Sequence, residues 1–170
     1  DMHAFIHDLK KHPFTAIIGV NTLYRALLDN PDFAQVDTRH LKVVSAGGMA
    51  VQRVVAERWK QKTGTPIIEG YGLTETSPVA TSNPLNIEDW TGTIGMPLPS
   101  TEVSVLDDSG NEMPLGEIGE ICVRGPQVMP GYWNRIDETD KVFSANGWLR
   151  TGDMGFADQR GYFKITDRKK

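Results

Sequence analysis

The stretch Glu69-Gly70-Tyr71-Gly72-Leu73-Thr74-Glu75-Thr76 decides how the rest of this sequence is interpreted. It follows Pro66-Ile67-Ile68, a short apolar run that is typical of a strand. Gly70 and Gly72 lack the Cβ atoms that would keep a ligand from lying against the backbone. Tyr71, between them, offers a flat ring on which a base can stack. Considered alone, the stretch is either a loop that binds a nucleotide phosphate or a glycine-rich turn after a strand.

Two side chains near the end of this stretch suit phosphate chemistry. Thr74 can donate a hydrogen bond to a phosphate oxygen, and Glu75 can bind a magnesium ion. Mg²⁺ usually takes one or two protein carboxylates, while waters and substrate phosphates supply its other ligands. Thr74 and Glu75 are therefore the candidate catalytic residues, and Glu75 is the candidate metal ligand.

Composition and charge limit the class of protein. The 170 residues can bury one sizeable core or two small ones. A balance of 18 basic and 22 acidic residues gives a net charge of −4, which argues against a nucleic-acid partner. Cys122 is the single cysteine, so the sequence can form neither an internal disulfide nor a cysteine metal cluster, and a cytoplasmic setting fits. The sequence opens in mid-pattern and ends on a charged run, which we interpret as an internal portion of a longer protein.

The first half of the sequence predicts an α/β fold with a parallel sheet covered by helices. In such sheets ligands sit beyond the carboxyl ends of strands. Gly47-Gly48 and Gly70–Glu75 both occupy that position, which predicts one shared site. The predicted helices are Met2–Lys11, a segment capped by Asn21 and running to about Leu28, and a segment from Val51 that Gly64 ends; the predicted strands are Thr15–Ile18, Leu41–Val44 and Pro66–Ile68.

From about Thr91 the pattern changes to short β runs punctuated by turns, which predicts a small, mostly antiparallel barrel. Residues 1–90 and 91–170 are therefore predicted to form two subdomains, with Thr81–Asp89 as the connection. Trp133 and Trp148 are predicted to lie in the barrel core. The predicted segments are strands at Glu102–Leu106, Glu120–Arg124, Met154–Ala157 and Tyr162–Thr166, and a helix at Ile136–Val142.

Several further residues have a plain structural interpretation. Gly47-Gly48 suits a tight strand-to-helix turn. Asp153 suits a turn aspartate that bonds its own backbone, and Arg168 suits a charge on a solvated run. His3 and His7 could share a helix face, but the sequence offers no third ligand at suitable spacing, which favours exposed helix surface.

Two motifs resemble those of one enzyme superfamily. Tyr71-Gly72-Leu73-Thr74-Glu75 resembles a core motif of the adenylate-forming enzymes, which include acyl-CoA synthetases, aryl-CoA ligases and luciferases. Residues 146–170, NGWLRTGDMGFADQRGYFKITDRKK, resemble over their full length the signature of fatty acyl-CoA synthetases. The second motif departs from that signature at Arg150, Ala157, Gln159, Phe163 and Thr166. The sequence is identified as a member of the acyl-CoA synthetases that act on long-chain fatty acids.

The resemblance implies roles for individual residues. Gly47 and Gly48 would form a wall beside the adenine and the acyl group, and Asp153 would accept both ribose hydroxyls of ATP. Arg168 would be a second contact to ribose or phosphate, and Lys170 would be the hinge of a mobile C-terminal domain. The full nucleotide-binding set implied is Gly47, Gly48, Glu69, Gly70, Tyr71, Gly72, Leu73, Thr74, Asp153 and Arg168. Residues 1–90 would then be the C-terminal part of the adenylate-binding subdomain.

The resemblance also implies the reaction and its partners. The carboxylate of a fatty acid would attack the α-phosphate of Mg²⁺-bound ATP to give an acyl-adenylate and pyrophosphate, and the thiol of CoA would then displace AMP. Cytoplasmic location, peripheral association with the inner face of the membrane and a homodimer are compatible with it. The sequence holds no phosphate loop ending in Pro-Lys-Gly and no C-terminal adenylation lysine, so the isolated chain is predicted to be inactive. Two alternatives stay open: an aryl-CoA ligase or luciferase-like enzyme, and a non-catalytic nucleotide-binding scaffold when the chain is isolated.

Overall fold

The computed structural model describes residues 1–169. By their contacts these residues form two compact units. The first unit contains residues 1–69 and 83–92, and the second contains residues 70–82 and the chain from Thr93 onward. The stretch Glu69–Thr76 therefore belongs to the second unit, apart from Glu69.

The first unit is a parallel sheet with helices, as predicted. Its strands are β1 (Ala16–Gly19), β2 (Val43–Ala46) and the first two residues of β3 (Ile68–Gly72), with β2 parallel to both neighbours. Its helices are α1 (Met2–Lys11), α2 (Asn21–Asp29) and α3 (Arg53–Thr63), and a 3₁₀ helix covers Pro31–Gln35.

Aromatic packing forms the centre of this unit. Trp59 of α3 lies edge-on to Tyr24 with ring centroids 4.8 Å apart, and it stacks on Phe33 at 5.5 Å. All three side chains are buried, so their apolar area is a main contribution to the stability of the unit. Gly64 ends α3 as predicted, because its φ of 76° is a left-handed conformation that glycine adopts readily.

The predicted cap at Asn21 is wrong. Asn21 is the first residue of α2, and Val20 occupies the cap position without a side-chain hydrogen bond. The Asn21 Oδ1 instead accepts a hydrogen bond from the Gln52 N–H at 3.0 Å, at the start of α3. Asn21 thus satisfies an amide at the N-terminus of a different helix.

The second unit contains two groups of antiparallel strands. Residues Gly70–Gly72 of β3 pair with β4 (Val79–Ser82), and β4 pairs with β5 (Met96–Pro97). The other group is a four-stranded sheet in the order β6 (Glu102–Leu106), β7 (Gly119–Arg124), β8 (Leu149–Ala157) and β9 (Phe163–Arg168), and a helix, α4, covers Ile136–Val142.

Gly70–Gly72 was predicted as a loop, but β3 continues through it. A Cβ atom at Gly72 would stand 1.7 Å from the Pro78 carbonyl oxygen, and one at Gly70 would stand 3.2 Å from that of Thr81. These glycines therefore let the chain entering β4 approach the backbone of β3.

The predicted barrel is not closed: in residues 1–169 the four-stranded sheet is open, with β6 and β9 at its edges. Near the start of β9, Phe163 exchanges backbone hydrogen bonds with Ile94 and Gly95, each 2.9 Å long. That stretch of the β9 edge is therefore already paired. The predicted core position of Trp133 is also wrong, because the residue is 90% exposed. No helix in the described part of the chain is long and apolar enough to cross a membrane.

Candidate functional site

Tyr71 and Asp153 meet in the second unit although they come from the two separate motifs. The Tyr71 hydroxyl donates a hydrogen bond to Asp153 Oδ2 at 2.6 Å. The Tyr71 ring is half-buried against the core cluster that contains Ile121 and Phe163. Burial, together with the Asp153 carboxylate, raises the pKa of Tyr71 well above its usual value, so the phenol stays protonated as a donor.

Arg168 completes this group of three residues. It lies directly opposite Asp153 in the register of β8 and β9, and its Nε is 3.6 Å from Asp153 Oδ1. Asp153 is 8% exposed, whereas the side chain of Arg168 is 74% exposed. The carboxylate is thus held in place, while the guanidinium is accessible to a ligand.

Asp153 lies within β8 and not in a tight turn. A bulge in β8 sets the direction of the Asp153 side chain. Glu120 pairs with Met154 and Cys122 pairs with Arg150, so one residue of β7 faces three residues of β8. The three bulged residues are Thr151, Gly152 and Asp153, and Gly152 has a φ of 75°. The bulge redirects a side chain that a regular strand would place differently.

Glu120 supports this bulge, although no sequence motif indicated a role for it. The residue is 5% exposed, and its Oε1 accepts a hydrogen bond from the Gly152 N–H at 3.0 Å. Its Oε2 accepts hydrogen bonds from Arg150 Nη1 at 3.1 Å and from Lys169 Nζ at 3.3 Å. The sequence feature that could have indicated this role is the position of Glu120 at the start of the apolar run Ile121–Val123. An acid in such a run is expected to be buried, and a buried carboxylate needs hydrogen-bond partners.

Thr74 and Glu75 begin a short 3₁₀ turn after β3. Thr74 is exposed, and Glu75 Oε1 accepts a hydrogen bond from the Tyr132 hydroxyl at 2.7 Å. A carboxylate has about four lone-pair positions, so Glu75 keeps capacity for a cation. Within residues 1–169 no group of three His, Cys, Asp or Glu side chains is arranged to hold a metal. Glu75 offers one carboxylate, and Mg²⁺ usually takes one or two from a protein, with phosphates and waters as its other ligands.

The remaining predicted nucleotide residues divide between the units. Gly47 and Gly48 follow β2 in the first unit, and Gly48 has a φ of 77°. Leu73 follows β3 in the second unit. Lys170 lies outside the described residues. His3 and His7 are exposed on α1, and His3 Nδ1 lies 3.8 Å from an Asp32 carboxylate oxygen.

Glu69 is enclosed within the first unit. It is 5% exposed, and its Oε1 accepts a hydrogen bond from the Val51 N–H at 3.1 Å. Burial raises the pKa of Glu69 to about 7, and the Val51 amide opposes that shift. The indole N–H of Trp90 also lowers the pKa of Glu69, although no atom of the described chain accepts a hydrogen bond from this N–H. Glu69 thus contacts the segment that follows Gly47-Gly48.

Comparisons with known proteins indicate the same enzyme family as the two motifs. The family model for AMP-binding enzymes matches residues 1–133. A long-chain-fatty-acid–CoA ligase of Escherichia coli O6:H1 is 52% identical over 170 residues, which is all of this chain and 30% of that protein. The chain therefore spans about a third of the length of that curated relative.

Solved structures of two related enzymes share the fold of this chain. ATP-bound MatB from Rhodopseudomonas palustris is 34% identical with a TM-score of 0.87, and the match covers 99% of this chain and 33% of MatB. An anthranilate CoA ligase in complex with anthranoyl-AMP is 30% identical with a TM-score of 0.89, covering 98% of this chain and 32% of that protein.

Proposed function

This chain belongs to the AMP-binding enzyme family, and we propose that it is part of an ATP-dependent long-chain fatty acid–CoA ligase. The observation that carries the proposal is the hydrogen bond from Tyr71 to Asp153, with Arg168 opposite Asp153. This contact joins two motifs that the sequence separates widely, and both resemble motifs of adenylate-forming enzymes. The whole enzyme would activate a fatty acid as acyl-AMP and then transfer the acyl group to CoA.

The geometry supports a division of tasks among these residues in binding the adenosine of ATP. Asp153 would accept hydrogen bonds from the two ribose hydroxyls, because a carboxylate offers two acceptor oxygens. Tyr71 would fix the carboxylate and present its ring beside the base. Arg168 would reach ribose or phosphate, since its exposed guanidinium can form forked hydrogen bonds.

Thr74 and Glu75 are proposed to act on the phosphates. Thr74 is exposed and would donate its hydroxyl hydrogen to a phosphate oxygen. Glu75 would hold Mg²⁺, which when bound neutralises negative charge on the transferring phosphate. Positioning and charge neutralisation account for most of the catalysis in phosphoryl-type transfer. Gly47 and Gly48 are proposed to lie beside the adenine and the acyl group. Glu69, Gly70, Gly72 and Leu73 are proposed to contact the nucleotide.

The experiment that tests the function uses the full-length enzyme that contains this chain. ATP–pyrophosphate exchange should depend on a long-chain fatty acid, and acyl-CoA should form once CoA is added. A panel of palmitate, benzoate and anthranilate separates the substrate classes. Faster exchange with an aromatic acid than with palmitate would replace the proposal with an aryl-CoA ligase.

The isolated 170-residue chain tests the non-catalytic alternative. We propose that the chain alone forms no acyl-CoA, because the phosphate loop and the adenylation lysine are not in it. Titration calorimetry with ATP would distinguish a residual nucleotide site from a bare scaffold. Acyl-CoA formation by a purified sample free of host enzyme would contradict the proposed inactivity.

We also propose a cytoplasmic setting with peripheral membrane association and a homodimer. The proposed membrane association is supported by the chemistry of the substrate. Each buried CH₂ of an acyl chain contributes about 0.8 kcal/mol to membrane binding, so long-chain fatty acids concentrate in bilayers. Flotation of the full-length enzyme with phosphatidylglycerol vesicles tests the membrane association. Light scattering of the same sample tests the homodimer.

A further inference from the structure

We infer that Glu120 is a positioning residue for Asp153: it holds the Thr151–Asp153 bulge of β8 in the shape that directs the Asp153 carboxylate to Tyr71. This inference rests on the proposed function, because Glu120 acts on the nucleotide only through Asp153.

The bulge creates amides that the strand ladder cannot satisfy. Only Ile121 of β7 lies opposite Thr151, Gly152 and Asp153. A buried N–H group without a partner costs about as much as a lost hydrogen bond. The Gly152 N–H donates to Glu120 Oε1 at 3.0 Å, and the Asp153 N–H donates to Thr151 Oγ1 at 3.1 Å. Two side chains thus replace the missing backbone partners.

Glu120 is itself fixed by two cations. Its Oε2 accepts hydrogen bonds from Arg150 and Lys169, while the Lys169 backbone N–H donates to the Gly152 carbonyl oxygen at 2.7 Å. Gly152 is therefore held at both its N–H and its C=O, in a left-handed conformation that favours glycine. Because Asp153 is the next residue, the direction of its side chain follows from this restraint.

Stability alone does not explain a carboxylate at this position. Removing charged groups from water costs several kcal/mol per ion, and replacing buried ion pairs with apolar residues is often neutral or stabilising. Position 120 lies beside the buried residues Ile121, Cys122 and Val123, where an apolar side chain would also suit the sheet. The carboxylate supplies what an apolar side chain cannot, an acceptor for the Gly152 amide.

The test compares Glu120→Leu and Glu120→Gln in the full-length enzyme, with the dissociation constant for ATP measured by calorimetry. Glu120→Leu should weaken ATP binding about tenfold, at the low end of what outer-shell partners of metal ligands contribute. Glu120→Gln should restore most of the affinity, because its amide oxygen can still accept from Gly152. Glu102→Leu is the matched control, since Glu102 lies in the same sheet but pairs with Arg124 at the surface. It should bind ATP like the unmodified enzyme.

A double-mutant cycle with Asp153→Ala distinguishes positioning from general damage. If Glu120 acts through Asp153, adding Glu120→Leu to Asp153→Ala causes little further loss, whereas independent effects add. Hydrogen exchange should also accelerate in peptides covering residues 149–157 of Glu120→Leu and not of Glu102→Leu. Should Glu120→Leu fail to fold, Glu120→Met replaces it in the same cycle, because its unbranched side chain is closer to glutamate in shape and its thioether is only a weak acceptor.

The outcomes separate this inference from the proposed function. If Asp153→Ala weakens ATP binding but Glu120→Leu (or Glu120→Met in its place) does not, the positioning role is wrong and the nucleotide role of Asp153 stands. Additive losses in the cycle would also overturn the positioning role. If Asp153→Ala binds ATP normally, the proposed role of Asp153 is wrong and the inference about Glu120 is wrong with it.

Discussion

Asp153 and Arg168 face each other across β8 and β9, with the guanidinium Nε 3.6 Å from the carboxylate Oδ1. The carboxylate is buried and also accepts a hydrogen bond from the Tyr71 hydroxyl, whereas the arginine side chain is mostly exposed. The separation of 3.6 Å is longer than a hydrogen bond, and water reaches most of the arginine side chain. The Arg168 side chain can therefore leave Asp153 at small cost, while Asp153 stays in place.

The first prediction concerns Asp153→Ala in the full-length enzyme. A hydrogen bond to a charged group contributes about 1.5–3 kcal/mol, so ATP binding should weaken roughly 10- to 150-fold. Calorimetry measures the change. Asp158→Ala is the control, because Asp158 is a true turn aspartate that accepts the N–H groups of Arg160 and Tyr162. Unchanged ATP affinity in Asp153→Ala would return Asp153 to a structural role.

The second prediction concerns Tyr71→Phe, which removes only the hydroxyl that donates to Asp153. Loss of this bond should destabilise the enzyme by about 1.5–3 kcal/mol, since the acceptor is a buried carboxylate. ATP affinity should fall less than in Asp153→Ala, because the carboxylate itself remains. Denaturant unfolding and calorimetry measure the two effects. Tyr162→Phe, a tyrosine beside Arg160 at the end of the turn before β9, should change neither.

The third prediction concerns Glu75→Gln. The amide oxygen can still accept the hydrogen bond from Tyr132, but the charge that would hold Mg²⁺ is lost. Pyrophosphate release at saturating Mg²⁺ should fall roughly 100-fold, the size of loss seen when one oriented electrostatic group leaves a reacting centre. Tyr132→Phe is the matched control and should retain most of the rate. Near-normal release by Glu75→Gln would remove Glu75 from the site.

The fourth prediction is a pH dependence that arises from Glu69. Its folded-state pKa of about 7 lies above the ordinary glutamate value of 4.5. Between those values the folded protein holds a proton that the unfolded chain has released, so stability falls as pH rises through this window. The shift corresponds to about 3 kcal/mol.

Glu69→Gln should remove this dependence, because glutamine stays neutral and can still accept from the Val51 N–H. Below pH 4.5 the variant and the unmodified enzyme should have similar stability, and above pH 7 the variant should be the more stable. Guanidinium unfolding at pH 4, 6 and 8 provides the comparison. Parallel pH curves for the two proteins would contradict the raised pKa.

The sequence predicted local features such as helix bounds better than tertiary features such as strand pairing and side-chain burial. Helical periodicity and turn residues predicted α1 and α4 at their observed bounds. The extension of β3 through Gly70–Gly72 was missed, because glycines that admit a neighbouring strand have the same signature as glycines that admit a ligand. Trp133 was assigned to the core from its apolar ring, which carries no information on tertiary burial.

The candidate site was predicted less completely than the fold. Motifs predicted nucleotide roles for Tyr71, Asp153 and Arg168, which stay predictions. Alternation along a strand cannot encode a bulge or the register that pairs distant residues. The contact between Tyr71 and Asp153 and the support from Glu120 therefore required the structure.

The last prediction concerns the hinge proposed at Lys170. The backbone is held as far as Lys169, whose N–H donates to the Gly152 carbonyl oxygen at 2.7 Å and whose Nζ lies 2.7 Å from Asp108 Oδ1. A rotation of a following domain would then begin at the next residue. Proline fixes φ near −65° and cannot pass between the backbone angles that a hinge requires.

Lys170→Pro in the full-length enzyme should therefore separate the two half-reactions. Acyl-adenylate formation, measured as pyrophosphate release in a single turnover, should survive, whereas thioester formation from supplied acyl-adenylate should collapse. Lys170→Ala should retain both steps, since alanine keeps the backbone free to rotate. Lys169→Pro should impair both, because it removes the N–H that bonds Gly152 beside Asp153. If Lys170→Pro loses both steps together, or neither, the rotation occurs about a different residue.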